Sequence, residues 1–369
     1  MSVLTNPKVR VWGGFALAAV ILFGVAPAAL SDFRLGLLGK FLCFAIVAVG
    51  IGLAWGRGGM LTLGQGVFFG IGAYAMAMHL KIADAQLRGD AVPDFMQIAG
   101  MTELPGYWKP FASPVFALGA VLLLPALVAL VLGLGVFKRR VKGAYFAILS
   151  QALAAAFAIL LVGQQSIGGS NGLNRFRTFF GFNLADPANK RMLFFIAAAV
   201  LLLSVALIRQ LMYSRYGELL VAVRDQEERV RFLGYDPANV KLVAYVVAAF
   251  LAGIAGALFV PIVGIISPAD VGIVPSLAFL IGVAIGGRAT LLGPVLGAIG
   301  VAWAQSAFSE SFPSGWIYAQ GLLFVVVVGF FPAGVAGLVM MLRRRRPGAQ
   351  PPADATAATS ARPEPVKVS

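Results

Sequence analysis

Cysteine and histidine each occur once in the 369 residues, as Cys43 and His79. A single thiol rules out an intrachain disulfide framework and a multi-cysteine metal site, and a single imidazole rules out a histidine-rich constellation. Charge is scarce as well. Only 12% of the residues are charged, where soluble domains carry roughly 25%, and fifteen acids with twenty-nine bases cannot cover a soluble surface of this size. No acidic residue falls in the middle of an apolar run. That absence argues against an ion-driven pump or carrier, which usually keeps Asp or Glu inside the membrane. No Ser/His/Asp, paired-carboxylate or metal-ligand arrangement can be assembled, so catalysis is disfavoured.

What the chain has in abundance is apolar length. Hydrophobic residues make up 60% of it and the mean hydropathy is +0.89. Apolar runs fall at about 11–30, 36–55, 66–83, 113–136, 143–162, 191–208, 242–264, 273–286, 289–308 and 316–341. About 20 such residues span a bilayer core, and in hydrocarbon the backbone must satisfy its own hydrogen bonds, which selects helices. The expected fold is therefore an all-α integral membrane protein with about ten transmembrane helices, solvated by membrane lipid. The first run is preceded by Lys8 and Arg10 and ends near Ala26-Pro27-Ala28, a pattern that also fits a signal peptide. Its length favours a retained helix.

Basic residues set the orientation. With the N-terminus in the cytoplasm and ten crossings, twenty of the twenty-nine bases fall inside, among them the cluster Lys138, Arg139, Arg140 and Lys142 and the run Arg343 to Arg346. Both termini are thus expected in the cytoplasm. Because these bases flank apolar runs, the net charge of +14 is read as membrane topology and not as nucleic-acid binding. Residues 1–10 form a short cytoplasmic start, 11–341 the membrane domain with a charged cytoplasmic loop at 209–241, and 342–369 a basic, Pro- and Ala-rich tail expected to be disordered. The connections 84–112 and 163–190 fall outside. Lys40 and His79 lie near outer helix ends, where a snorkelling lysine and a packing histidine are the ordinary readings.

Glycine interrupts the apolar runs. Gly58-Gly59-Met60-Leu61-Thr62-Leu63 is echoed by Gly286-Gly287-Arg288-Ala289-Thr290-Leu291, and paired Gly-broken segments in two halves point to a repeat-built transporter; chance in Gly-rich sequence is the competing reading. Gly66, Gly70, Gly253, Gly256, Gly293 and Gly297 recur at about one-turn spacing, which lets membrane helices approach closely. The uncharged polar residues in or beside the runs are Thr62, Gln65, Ser150, Gln151, Ser276 and Gln305. Each alone is more often glue between helices; together they would suit a path for a neutral solute.

The loop 209–241 carries the clearest local signals. Asp225 with Glu228 three residues later resembles a capping box. Val230 and Leu233 share one helical face, Gly234 suits a left-handed C-terminal position, and Pro237 prevents continuation. These predict one amphipathic helix of about nine residues over 225–234, too short to be stable alone in water and so expected to dock against a partner.

The Glu228-x-x-x-x-x-Gly234 spacing resembles the coupling motif of bacterial ATP-binding-cassette importer permeases, with Arg229 and Val230 where that motif has two alanines. The blocks WGRGGMLTLGQGVFFGIGAY (55–74), GGSNGL (168–173), RYGELLVAVRDQEERVRFLGYDPANVKL (215–242) and GGRATLLG (286–293) together resemble the branched-chain amino-acid permease family over about residues 33–341. Within it, VRDQEERVRFLGYDP (223–237), FVPIVGIISPAD (259–270) and SESFPSGWIYAQGLLFVVVVGFFPAG (309–334) look most like its urea-type permeases. The resemblance implies an inner-membrane subunit of a urea importer, working with a second permease subunit, two ATP-binding subunits and a periplasmic substrate-binding protein. It maps the family's coupling residues onto Glu228 and Gly234, and Arg224, Asp225 and Arg231 in the same segment are expected to share that role. No Gly-x-x-x-x-Gly-Lys-Ser/Thr phosphate loop occurs, so ATP would be hydrolysed on another polypeptide. A branched-chain amino-acid permease is the nearest alternative. A secondary carrier or channel for a small neutral solute, and a membrane-embedded transferase, are more distant.

Overall fold

The computed structural model describes residues 7–141, 143–311, 315–330, 334 and 337. The expectations for residues 1–6 and for the tail 342–369 lie outside them. A first helix runs from α1 (Pro7–Ala19) through a π-helical stretch (Val20–Val25) into α2 (Ala26–Ala29). Then come α3 (Asp32–Ile51), closed by a π-helical stretch at Gly52–Arg57, α4 (Gln65–Arg88), the short α5 (Asp94–Ile98), α6 (Pro114–Lys138), α7 (Ala144–Gly163) and α8 (Pro187–Met212). The remainder is α9 (Arg215–Phe232), α10 (Pro237–Val263), α11 (Ile273–Gly286), α12 (Gly293–Ser311) and α13 (Gly315–Phe330).

Eight helical segments among the described residues are long and apolar enough to cross a membrane, and α12 and α13 follow them. Eight of the ten expected spans are thus matched in order, with helices at the last two runs as well. The helices outrun their apolar windows: α4 and α8 continue through Arg88 and Arg209, because a long basic side chain at a helix end keeps its charge in water once it reaches the interface. Two helices begin with the same dipeptide. Asp186 and Asp236 accept hydrogen bonds from the amides of Ala188 and Ala238 at 3.0 Å, each followed by a proline whose missing N–H is one of the helix orphans anyway. Pro237, read as a stop, also starts α10.

α10 is the central helix, packed on α4, α6 and α3, while α11 pairs with α12. Lipid hydrocarbon is as apolar as a leucine side chain, so backbone proximity holds these pairs together. A Cβ placed on Gly256 would collide with the Phe69 carbonyl oxygen, and one on Gly297 with the Gly282 carbonyl oxygen. Phe44, Phe69, Phe259 and Phe279 from four helices meet at ring separations of 5.2–6.3 Å.

The ends of the bundle differ. At one end the bases gather: Arg57 and Arg209 lie over Tyr213, Arg288 over Trp55, and Lys138 pairs with Asp236, as expected for the cytoplasmic side. At the other, Asp84 accepts from the Arg177 and Thr178 amides, Lys81 pairs with Asp94, and Arg191 pairs with Asp32. The outer connections contain structure that an all-α reading does not foresee: strand β1 (Leu173–Asn174) pairs with β4 (Ile265–Ile266), and β2 (Thr178–Phe179) with β3 (Phe182–Asn183), both antiparallel. His79 is buried with Nδ1 2.8 Å from the Phe111 carbonyl oxygen, a packing role. Lys40 does not simply extend outward; its ammonium lies 5.7 Å from the Phe44 ring centroid.

Candidate functional site

Two helix breaks meet near the basic end. One runs from Gly58 to Gly64 between α3 and α4, the other from Gly287 to Leu292 between α11 and α12. These are the two echoed Gly segments, and the second touches the π-helical stretch that leads into the first: a Cβ on Gly56 would collide with the Arg288 carbonyl oxygen, and the Arg288 guanidinium lies 4.9 Å from the Trp55 ring centroid. Each break ends in a helix N-terminus that needs partners for its free amides. α12 is served locally, by Thr290 Oγ1 accepting from the Gly293 amide at 3.0 Å. α4 is served from afar. The Leu63 amide donates to Ser150 Oγ of α7 and the Gly66 amide to Ser276 Oγ of α11, both at 3.0 Å.

This geometry sorts the predicted path residues. Thr62, Gln65, Ser150 and Ser276 are all buried and gather around the α4 N-terminus. The two serines fasten backbone and have no hydroxyl proton free for a solute, since they donate onward to Ala147 and Gly272. Thr62 and Gln65 touch only each other, Nε2 to Oγ1 at 3.5 Å, and Gln65 Oε1 is buried with no hydrogen-bond partner among the described residues. Gln151 and Gln305 are half-buried and do not join the cluster. Ser276→Ala leaves a buried amide unmet, so it is expected to destabilise the protein by about 1–3 kcal/mol, read as a lower thermal midpoint of the solubilised protein. An unchanged midpoint would show that water replaces the hydroxyl.

The charged loop corrects the sequence reading. α9 (Arg215–Phe232) is two helices joined at a kink, where Gln226 has non-helical backbone (φ −148°, ψ 74°); the part beyond the kink falls where the short helix over 225–234 was expected, and the part before it was not expected. Asp225 is not a cap. Its carboxylate is held by its neighbour, Arg224 Nε to Oδ1 at 2.7 Å, and this hydrogen bond keeps the acid below the usual carboxylate range. The part before the kink buries Gly217, Leu220 and Val223, beginning eight residues before the expected start at 225, and Val230 is the buried residue beyond it. Gly234 is as predicted, with φ +88°. The Gly234 amide donates to the Arg231 carbonyl at 3.0 Å and the Tyr235 amide to that of Val230 at 3.4 Å, the paired bonds of a Schellman stop. Glu228 is exposed; the carboxylate that ties the segment down is Glu227, which accepts from Arg231 at 3.1 Å and Lys241 at 2.6 Å. Glu227 was missed because no local motif marks it.

α9 is bonded to the first break. Arg224 Nη1 donates to the Gly56 carbonyl at 2.9 Å, its Cγ lies 2.6 Å from where a Cβ on Gly59 (φ +68°) would sit, and Leu220 borders Gly58. Phe232 and Leu233, at 90% and 76% exposure, stand uncovered at its far end.

The sequence pattern of the family "Branched-chain amino acid transport system / permease component" matches residues 33–330. The chain is 26% identical over 311 residues to a high-affinity branched-chain amino acid transport system permease protein, LivM, of Salmonella typhimurium, and 27% identical over 309 residues to its counterpart in Escherichia coli. Each alignment covers 77% of this chain and 66% of the relative, so the chain spans just under two thirds of their length. No solved structure matches.

Proposed function

From the premise that the chain belongs to the branched-chain amino-acid transport permease family, we propose that it is the subunit of an ATP-driven importer that forms part of the path for urea. It is a multi-pass inner-membrane protein. In this reading it pairs with a second, different permease subunit, one of two ATP-binding subunits docks at α9, and a periplasmic binding protein delivers the solute at the opposite end. The family is one of permease components, and hydrolysis is assigned to the separate ATP-binding subunits.

One observation carries the reading. The segment between α3 and α4 is tied at one end to α9 through Arg224 and Gly56, and at the other presents the unpartnered amide oxygen of Gln65. A push on α9 therefore reaches a hydrogen-bond acceptor buried among the spans. Urea is small and neutral and carries four N–H donors around one carbonyl. Gln65 Oε1 accepts such a donor, Thr62 supplies a hydroxyl beside it, and neither brings a charge that would need a counter-ion. The stretches 223–237 and 259–270 support urea over a branched-chain amino acid by their resemblance.

The test is uptake of labelled urea and labelled leucine in the same cells carrying the complete transporter. Wild type is expected to import urea. Gln65→Leu, which keeps the volume and removes both polar atoms, is expected to lower urea uptake by about tenfold or more, the worth of one buried hydrogen bond and its desolvation. Leucine uptake without urea uptake would overturn the substrate and leave the coupling geometry standing. Unchanged urea uptake by Gln65→Leu would remove Gln65 from the path.

A further inference from the structure

A second polar cleft lies at the basic end, away from the helix breaks. It measures about 400 Å³ and is lined by Phe137, Lys138 and Arg140 at the end of α6 and by Arg231, Tyr235 and Asp236 between α9 and α10. Lys138 bridges its two walls, Nζ to Asp236 Oδ2 at 2.6 Å. Arg231 is engaged by Glu227. Arg140 is different: it is exposed, and its guanidinium has no hydrogen-bond or ion-pair partner among the described residues. Three cations thus line a cavity in which Asp236 is the one acid, and one guanidinium is left uncompensated.

The height of the cleft identifies what it meets. α6 rises 25 residues from Pro114 to Lys138, about 37 Å at 1.5 Å per residue, which exceeds the roughly 30 Å of hydrocarbon in a bilayer. Lys138 and Arg140 therefore sit in the headgroup layer of the cytoplasmic leaflet. Anions at that depth are phosphates. A guanidinium fork matches two phosphate oxygens, and Lys adds a point charge. Phe137 gives the cleft an apolar floor on the membrane side, and Tyr235 places an aromatic ring with a hydroxyl at the interface, where such rings are favoured.

We propose that this cleft is a phosphate-ester site that takes the headgroup of an anionic phospholipid, with Arg140 as its principal ligand. Occupancy joins the α6–α7 connection to the chain segment that carries Gly234, so the lipid braces the loop through which α9 is held. The proposal does not depend on which solute is carried.

Arg140 offers an unusual control over folding. Its φ is +58°, a conformation glycine adopts freely and other residues rarely. Arg140→Gly therefore deletes the ligand while suiting the backbone. Arg139→Gln, next along the chain and not lining the cleft, removes a charge of the same sign. The assembled transporter would be placed in nanodiscs of phosphatidylcholine alone, or of phosphatidylcholine with phosphatidylglycerol in equal parts. Phosphatidylglycerol retained on the complex after extraction is read by native mass spectrometry, and solute-stimulated ATPase is measured alongside. Wild type and Arg139→Gln are expected to retain phosphatidylglycerol and to run faster with it. Arg140→Gly is expected to hold it about tenfold more weakly, the loss of one charge-assisted contact, and to lose the stimulation. Glycerol 3-phosphate added to phosphatidylcholine discs separates the sources: stimulation by the soluble ester at the same Arg140 keeps the phosphate site and makes its ligand soluble. Equal retention by wild type and Arg140→Gly, or equal loss in Arg139→Gln, overturns the proposal.

Discussion

Gly234→Val is expected to yield a protein that inserts at the wild-type level and neither takes up solute nor raises ATPase activity when solute is present. At φ +88° a side chain with a Cβ costs about 1–2 kcal/mol, and β-branching narrows the allowed region further. A Cβ there would meet nothing within 4 Å, so the damage is not a clash. The chain leaves α9 in the wrong direction, the Tyr235 amide loses the Val230 carbonyl, and the exposed pair Phe232 and Leu233 is re-aimed. Gly234→Ala should fall between, and Glu228→Ala should be mild, since that carboxylate is exposed and stabilises a helix start by about 0.3–1 kcal/mol at most. Insertion and uptake must be quantified on the same membranes. A fully inserted Gly234→Val that transports at the normal rate would remove the coupling role from this segment.

Gly256→Val should fail one step earlier, at assembly of the bundle. The added carbons meet backbone, the Phe69 carbonyl oxygen and the Ala73 amide nitrogen, and backbone cannot rotate away as a side chain can. Overpacking a tight interface costs about 1–3 kcal/mol, occasionally more, and here α4 and α10 must separate along the surface that seats the Gln65 end of α4. We expect aggregation on solubilisation and loss of the thermal transition. Gly119→Val makes the same change on α6 where nothing lies within 4 Å, and should behave as wild type. If both variants behave alike, close approach of α4 and α10 is not what holds the membrane domain together.

These two glycines were legible in the sequence for different reasons. Gly234 announces itself by standing between an amphipathic run and a proline, a local signal that survives without any tertiary information. Gly256 is one of a series at helical spacing, and a series predicts packing without saying which partner. The first part of α9 was not foreseen because Asp225 and Glu228 carry the spacing of a capping box and mark a start only near the kink at Gln226. The fastenings that define the site were beyond reach for a plain reason. Arg224 to Gly56, Ser150 to Leu63 and Ser276 to Gly66 join residues 168, 87 and 210 positions apart, and nothing in the intervening residues marks the pairing. For the same cause Ser150 and Ser276 were read as lining a path, when their hydroxyls are spent on backbone.

Those separations also set an order in time. A ribosome adds roughly 5–20 residues per second, so the amides at the start of α4 emerge about ten to forty seconds before Ser276, the acceptor for Gly66, exists. Through that interval the N-terminus of α4 is a helix end with unmet donors at the edge of the membrane, and water or the insertion machinery must serve them. A nascent chain stalled before α11 would carry its first helices already threaded, with Leu63 and Gly56 already served by Ser150 and Arg224 and the Gly66 amide still without Ser276. The start of α4 is thus fastened in stages, the last of them 210 residues after its own synthesis.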